Sequence, residues 1–252
     1  MGALISIVLQ VVLQIPAVRV TLVTVLPSFL LLGYVRKKDK LEPEPPRLIW
    51  TLFGLGALAV LLAYVLELGG VFLTLQITEE GTLLYSLLHW YAVVGLFEEA
   101  SKYLMLRLRT WKNPEFDCLF DGMVYAVAVS AGFALAENII YLIRYGGSIM
   151  LMRAIVSIPA HICFSVIMGS WYSAAKKYDL WGDKQKSTRC RVLAVLVPAL
   201  AHGLFDHLAV STESAASMLP FLGYTIAMFI VCWLLIKKLA NKDDYYHNMS
   251  PQ

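Results

Sequence analysis

Charge is scarce in this chain: Asp, Glu, Lys and Arg make up 15% of its 252 residues, while 59% are apolar. A soluble domain carries about a quarter of its residues as charges, so this composition excludes an ordinary water-soluble fold. The net charge of +3 is too small to mark a nucleic-acid surface, and the basic residues sit in short connectors, where they record topology. Only four cysteines occur, Cys118, Cys163, Cys190 and Cys232, without CxxC spacing or a secreted framework. They read as apolar fillers or reduced thiols. No internal repeat or low-complexity stretch breaks the chain, and 252 residues leave no room for a second globular unit. No HExxH helix, GxSxG elbow, Walker A loop or GxGD pattern is present, and neither Gly147-Ser148 nor Gly169-Ser170 has the surroundings of a serine nucleophile.

What the chain has instead is long apolar runs. A membrane helix needs about 20 apolar residues, and seven runs qualify: 18–35, 48–67, 82–106, 120–143, 152–175, 191–210 and 218–236. The stretch 1–16 is apolar but short. Its first basic residue follows the run, which is not the order of a signal peptide. The expected fold is therefore all-α, a polytopic membrane helix bundle of seven transmembrane helices, eight if 1–16 crosses. It forms one domain over 1–252, with a tail from about 237.

Loop charges alternate. Arg36, Lys37, Lys38, Lys40 and Arg47 mark the first connector, Arg107, Arg109 and Lys112 the third, and Lys176 to Arg191 the fifth. Stretch 68–81 has Glu79 and Glu80 and no basic residue, and Arg144 and Arg153 flank the fourth connector. The positive-inside rule places the odd connectors and the C-terminus in the cytoplasm, in a multi-pass protein of the cell membrane. Asn248-Met249-Ser250 matches a glycosylation pattern but falls in that cytoplasmic tail, so it is discounted.

Against this apolar background a few polar groups stand out. Glu98 lies about 14 Å inside the helix end at Arg107, with Glu99 beside it, at a depth where a carboxylate costs roughly 2.5–3.5 kcal/mol. Lys102, four and three residues on, shares their surface and neutralises one acid, leaving the other to ligate or act as a base. Segment 120–143 is built from small residues that let helices approach closely, and it carries Glu137 and Asn138. At its start, Asp117 and Asp121 read as helix-capping acids. His161 follows Pro159, which removes a helical hydrogen bond and can bend the span. His202 and Asp206 lie one turn apart, a spacing that suits a shared metal or a ligand His oriented by its own acid. His207 points about 100° away from Asp206 and reads as structural, and His89 as interfacial. Acids and imidazoles from four spans are what an intramembrane metal site requires.

Several ordered motifs resemble the PrsW family of intramembrane proteases. They are the connector Lys38-Asp39-Lys40-Leu41-Glu42-Pro43-Glu44-Pro45, GLFEEASKY (95–103), FDGMVYAVAVSAGFALAENIIYL (120–142), AHICFSVIMGSWY (160–172) and AHGLFDH (201–207). The likeness runs from about Pro27 to Lys238 and extends in motif to the CAAX prenyl endopeptidases, which use paired glutamates and histidines on membrane helices. It implies a lipid-embedded protease that clips a single-span membrane protein such as an anti-sigma factor, outside the cytoplasm. By motif, Glu98, Glu99 and His202 carry function, with Glu137, His161 and Asp206 as partners and Lys102 and Asn138 in support.

On this reading zinc is held by a subset of Glu137, His161, His202 and Asp206. Glu98 or Glu99 serves as general base and then acid. A metal-free pair, with burial splitting the two glutamates into acid and base, is the rival mechanism. Two alternatives from other classes are a proton- or ion-coupled transporter, which would show repeats or broken half-helices, and a catalytically dead scaffold, which would have lost site residues.

Overall fold

The computed structural model describes residues 16–212 and 214–249. The expectation for 1–16 thus lies outside the described residues but for Pro16, as does Ser250 of the glycosylation pattern. The described chain is helical throughout, its one β feature being an isolated antiparallel bridge between Cys118 and Tyr245. In chain order the helices are α1 (Pro16–Arg36), α2 (Pro46–Leu75), α3 (Leu83–Leu87), α4 (Leu96–Thr110), α5 (Asp121–Tyr145), α6 (Met150–Met152), α7 (Ile158–Leu180), α8 (Lys184–Val210) and α9 (Ala215–Asn241). Two π-helical stretches interrupt the sequence: Leu88–Gly95 joins α3 to α4, and Arg153–Ser157 joins α6 to α7.

Six helical runs among the described residues are long and apolar enough to cross a membrane. The expected span at 82–106 is the exception. It is helical from Leu83 to Thr110, but the π stretch divides it. Elsewhere the helices overrun the apolar limits read from sequence. The pair Gly69-Gly70 does not end α2, which continues to Leu75, so the connector expected at 68–81 starts later. Likewise Lys176 and Lys177 lie on α7 and Lys184 to Arg191 on α8, leaving only Trp181–Asp183 between them. Asp183 caps α8 by accepting the Lys186 N–H at 2.9 Å.

The bundle centres on α5, whose residues from Asp121 to Ala134 are all buried, as expected of a helix apolar on every side. It packs between α2 and α7, and α7 packs in turn on α8. Glycines set the spacing. A Cβ on Gly56 would strike the Val129 carbonyl, and one on Gly132 the Phe53 carbonyl, so α2 and α5 touch backbone to backbone. Large apolar side chains on the outer faces, among them Leu61, Val65, Phe72, Leu200, Ile226 and Trp233, are exposed as a lipid-facing surface would be. The four cysteines are free and buried.

The tail folds back. Beyond α9, the Leu119 N–H donates to the Asp244 carbonyl at 3.1 Å, and Phe120 N–H to Asp243 Oδ1 at 2.8 Å. Asp121 lies in the first turn of α5, where its charge complements the helix dipole as expected, but it does not cap the helix. Its Oδ2 turns back to accept the N–H groups of Asp117 (3.1 Å) and Cys118 (2.6 Å).

Candidate active site

The π stretch Leu88–Gly95 delivers α4 to the bundle centre with Glu98 and Glu99 in its first turn. Extra turns of this kind recur where a helix must re-aim side chains at a site. Close packing fixes the register. A Cβ on Gly203 would come within 2.7 Å of the Trp90 carbonyl, so α8 lies directly against the π stretch and His202 faces α4. The second π stretch precedes α7, where Pro159 occupies the first turn, the position at which its missing N–H costs least. From there His161 points inward beneath Phe133 of α5.

Lys102 lies at the centre and is fully buried. Its Nζ is 2.7 Å from Glu99 Oε1, 3.3 Å from Glu98 Oε2 and 3.1 Å from His161 Nδ1, and it sits 4.1 Å from the centre of the Phe133 ring. Glu99 Oε1 also meets His202 Nδ1 at 3.0 Å, while the buried Glu99 Oε2 has no partner. Each imidazole is backed by a carboxylate on its far nitrogen. His161 Nε2 lies 2.7 Å from Glu137 Oε2, and His202 Nε2 lies 3.2 Å from Asp206 Oδ2. The two rings meet nearly edge to face, 5.2 Å apart, and Phe164 stacks on His202. Arg153 closes the far side. It pairs with Glu137 Oε2 at 3.0 Å, donates from Nε to Asn138 Oδ1 at 2.6 Å, and stacks on Tyr141.

All eight residues singled out from sequence thus fall in one connected cluster, but in two shells. One donor atom from each of Glu98, Glu99, His161 and His202 can be chosen so that all lie within 4.8 Å of one another, and all four residues are buried. Glu137 and Asp206 stand behind the imidazoles, in the place of carboxylates that orient metal-bound histidines. From sequence, zinc is expected on a subset of Glu137, His161, His202 and Asp206, with Glu98 or Glu99 as the base. In the structure the glutamates share the inner group with the histidines.

A cavity of about 530 Å³ reaches this cluster. Glu98, Glu137, His161, His202 and Asp206 line its floor. It extends to the ends of α5 and α8 at Arg144, Tyr145, Ala209 and Val210, opposite the Lys- and Arg-rich connectors. Three lining groups were missed or misplaced from sequence. Glu67 is the sole acid between residues 46 and 78 and is the last residue of the apolar run 48–67. Arg153 was counted as a flanking topology charge, although it turns inward. His89, read as interfacial, lines the cavity with its Nδ1 buried and unpaired. His207 is structural, its Nδ1 lying 3.1 Å from Ser86 Oγ.

Five carboxylates (Glu67, Glu98, Glu99, Glu137, Asp206) and three fixed cations (Lys102, Arg144, Arg153) therefore surround the site. His202 lies between two carboxylates, Glu99 at 3.0 Å and Asp206 at 3.2 Å, an arrangement satisfied by a protonated ring or by a divalent ion bound at Nδ1. Two carboxylates, two imidazoles and an orphaned buried oxygen form a donor set that fits such an ion.

Comparison with known proteins agrees with this architecture. Residues 44–236 match the family described as PrsW family intramembrane metalloprotease. The chain belongs to the PrsW family. Protease PrsW of Geobacillus kaustophilus (strain HTA426) is 29% identical over 229 residues, covering 88% of this chain and 91% of that protein. Protease PrsW of Bacillus subtilis (strain 168) is 32% identical over 220 residues, covering 84% and 90%. That of Clostridioides difficile (strain 630) is 30% identical over 235 residues, covering 91% and 92%. No solved structure matches the chain. PrsW membership makes this a multi-pass membrane protein of an intramembrane protease family, with the paired-glutamate motif on α4 and both histidines at its centre.

Proposed function

We propose that the protein is an intramembrane endopeptidase that cuts a single-span membrane protein at the cavity between α2, α4, α5, α7 and α8. The observation that carries this reading is Glu98: a carboxylate on the cavity wall, beside a fully buried Glu99 already committed to Lys102 and His202. Glu98 is the general base. It takes the proton of the attacking water and delivers it to the leaving amine. Glu99 anchors Lys102 and orients His202. Glu137 and Asp206 hold the imidazole rings in place, and Arg153, fixed by Asn138, holds Glu137.

Glu99, His161 and His202 are the residues that would hold a divalent ion, zinc by the donor types present, leaving Glu98 free as the base. When bound, such an ion supplies Lewis-acid chemistry, polarising a carbonyl oxygen and acidifying water. One observation favours a second, metal-free reading: the Lys102 ammonium already sits among these donors, 2.7 Å from Glu99. In that case Lys102 holds Glu99 ionised and the glutamates work alone.

The cavity extends toward the helix ends that lie away from the basic connectors. With the C-terminus cytoplasmic, cutting then occurs on the outer side, and an anti-sigma factor is a substrate of the right topology. Elemental analysis of purified, active protein separates the mechanisms. The metal reading expects about one zinc per chain, lost together with activity in His202→Ala. Full activity in metal-free protein would establish the glutamate-only reading.

A further inference from the structure

A second group of buried acids lies at the other end of the bundle, remote from the cavity. Asp39 and Glu44, on the connector between α1 and α2, meet Asp121 at the head of α5. Carboxylate oxygens from the three lie within 4.8 Å of one another, and all three residues are buried. Glu44 and Asp121 share a side-chain hydrogen bond, and Asp39 accepts the Glu44 N–H, yet these leave an oxygen of the group unmet. Glu44 Oε2 accepts the Tyr125 hydroxyl at 2.7 Å, but that hydroxyl also lies 2.8 Å from the Glu115 carbonyl and has one proton to give. Asp121 accepts two backbone N–H groups through Oδ2. Asp39 is 7% exposed, and its Oδ1 has no partner at all. Arg36 offsets part of the charge at Asp39, while Glu42, Glu115 and Asp243 add to the negative field, and Asp243 Oδ2 is also buried without a partner. An orphaned carboxylate oxygen in such a field is costly unless a cation meets it.

We propose that Asp39, Glu44 and Asp121 bind a hard divalent cation, magnesium or calcium, which fastens the first connector to the head of α5. The donors are all oxygens, without imidazole, and Cys118 Sγ instead contacts Asp117 Oδ1. This is the chemistry of Mg²⁺ and Ca²⁺ and unlike that of the histidine-bearing inner cluster. The fastening is built from α5, the helix that also carries Glu137.

The test uses full-length, detergent-purified protein stripped with a chelator. Thermal unfolding is followed as MgCl₂ or CaCl₂ is added at pH 7.5, and a saturable rise in midpoint of several degrees is expected. The same rise should appear in Glu98→Gln/Glu99→Gln, which disables the inner cluster, and should be lost in Asp39→Asn and in Glu44→Gln. Terbium(III), a luminescent stand-in for calcium, should emit when the protein's tyrosines are excited, and this emission should weaken in Tyr125→Phe. Magnesium or calcium should compete the signal away, the preferred ion being the better competitor. A wild-type midpoint unmoved by either cation would overturn the proposal and leave proton sharing among the acids. So would a rise that persists unchanged in both connector variants. The wild-type arm alone decides the matter should either variant fail to fold.

Discussion

The molecule buries two sets of acids, and they are compensated in opposite ways. Around Glu98 and Glu99, the carboxylates are met by Lys102, Arg153 and two imidazoles, each held by further hydrogen bonds. Around Asp39, Glu44 and Asp121, a tyrosine hydroxyl, backbone N–H groups and a bond shared between Glu44 and Asp121 take that place; each set keeps one unmet oxygen, Glu99 Oε2 in the first and Asp39 Oδ1 in the second. The difference separates two uses of buried charge. The inner set is a connected network open to a cavity, as chemistry on a substrate demands. The other is buried between a connector and a helix end, and none of its three acids lines that cavity.

Removing the cation at the centre of the first set should have the largest effect on stability. Lys102→Met leaves Glu99 buried without its ion-pair partner, which typically costs about 3–5 kcal/mol. Tyr125→Phe, the corresponding change in the second set, removes a hydroxyl donor and should cost about 1–3 kcal/mol. Unfolding in detergent with chelator present measures both. A Lys102→Met loss no larger than that of Tyr125→Phe would erase the contrast between the regions.

Glu67 sharpens the boundary of the first set. It lines the cavity without touching the inner four donors, so Glu67→Gln should slow cleavage by less than the roughly 100-fold that marks loss of a general base. A loss as deep as that of Glu98→Gln would bring Glu67 into the reacting group.

The smallest effect is a pH trend in the second set. Burial pushes Asp39 from 3.8 up to about 6 and Glu44 from 4.5 up to about 7. The folded state therefore holds protons that the unfolded chain releases. Their contribution to stability is full below about pH 4 and is lost as pH rises through 6 and 7. In chelator, the wild-type midpoint should fall relative to Glu44→Gln across that window. A constant difference between the two from pH 4 to 8 would contradict it.

Much of this was legible in the sequence, for particular reasons. Carboxylates and imidazoles in apolar runs announce themselves because they are expensive there, so Glu98, Glu99, Glu137, His161, His202 and Asp206 stood out and the structure gathers them. Which of them form the inner group was not legible. That depends on the π stretch Leu88–Gly95 turning both glutamates inward, and neither its extra turn nor the contact of Gly203 with Trp90 has a periodic signature. Glu67 and Arg153 were misjudged because hydropathy ends a span where apolar residues thin out, while the helices run on to Leu75 and back to Met150. The second acid set was hidden for a different reason. Asp39, Glu44 and Asp121 are ordinary connector and capping residues by type, and only the fold brings them within one coordination sphere.

The central claim is that the Glu98–Glu99–His161–His202 cluster performs peptide hydrolysis. Purified protein reconstituted in vesicles with a single-span substrate tests it most directly, with Glu98→Gln and Glu99→Gln in parallel. The account predicts cleavage by the wild type and a fall of at least ~100-fold in each variant, while their thermal unfolding still reports folded protein. Wild-type rates of cleavage by both folded variants would contradict it.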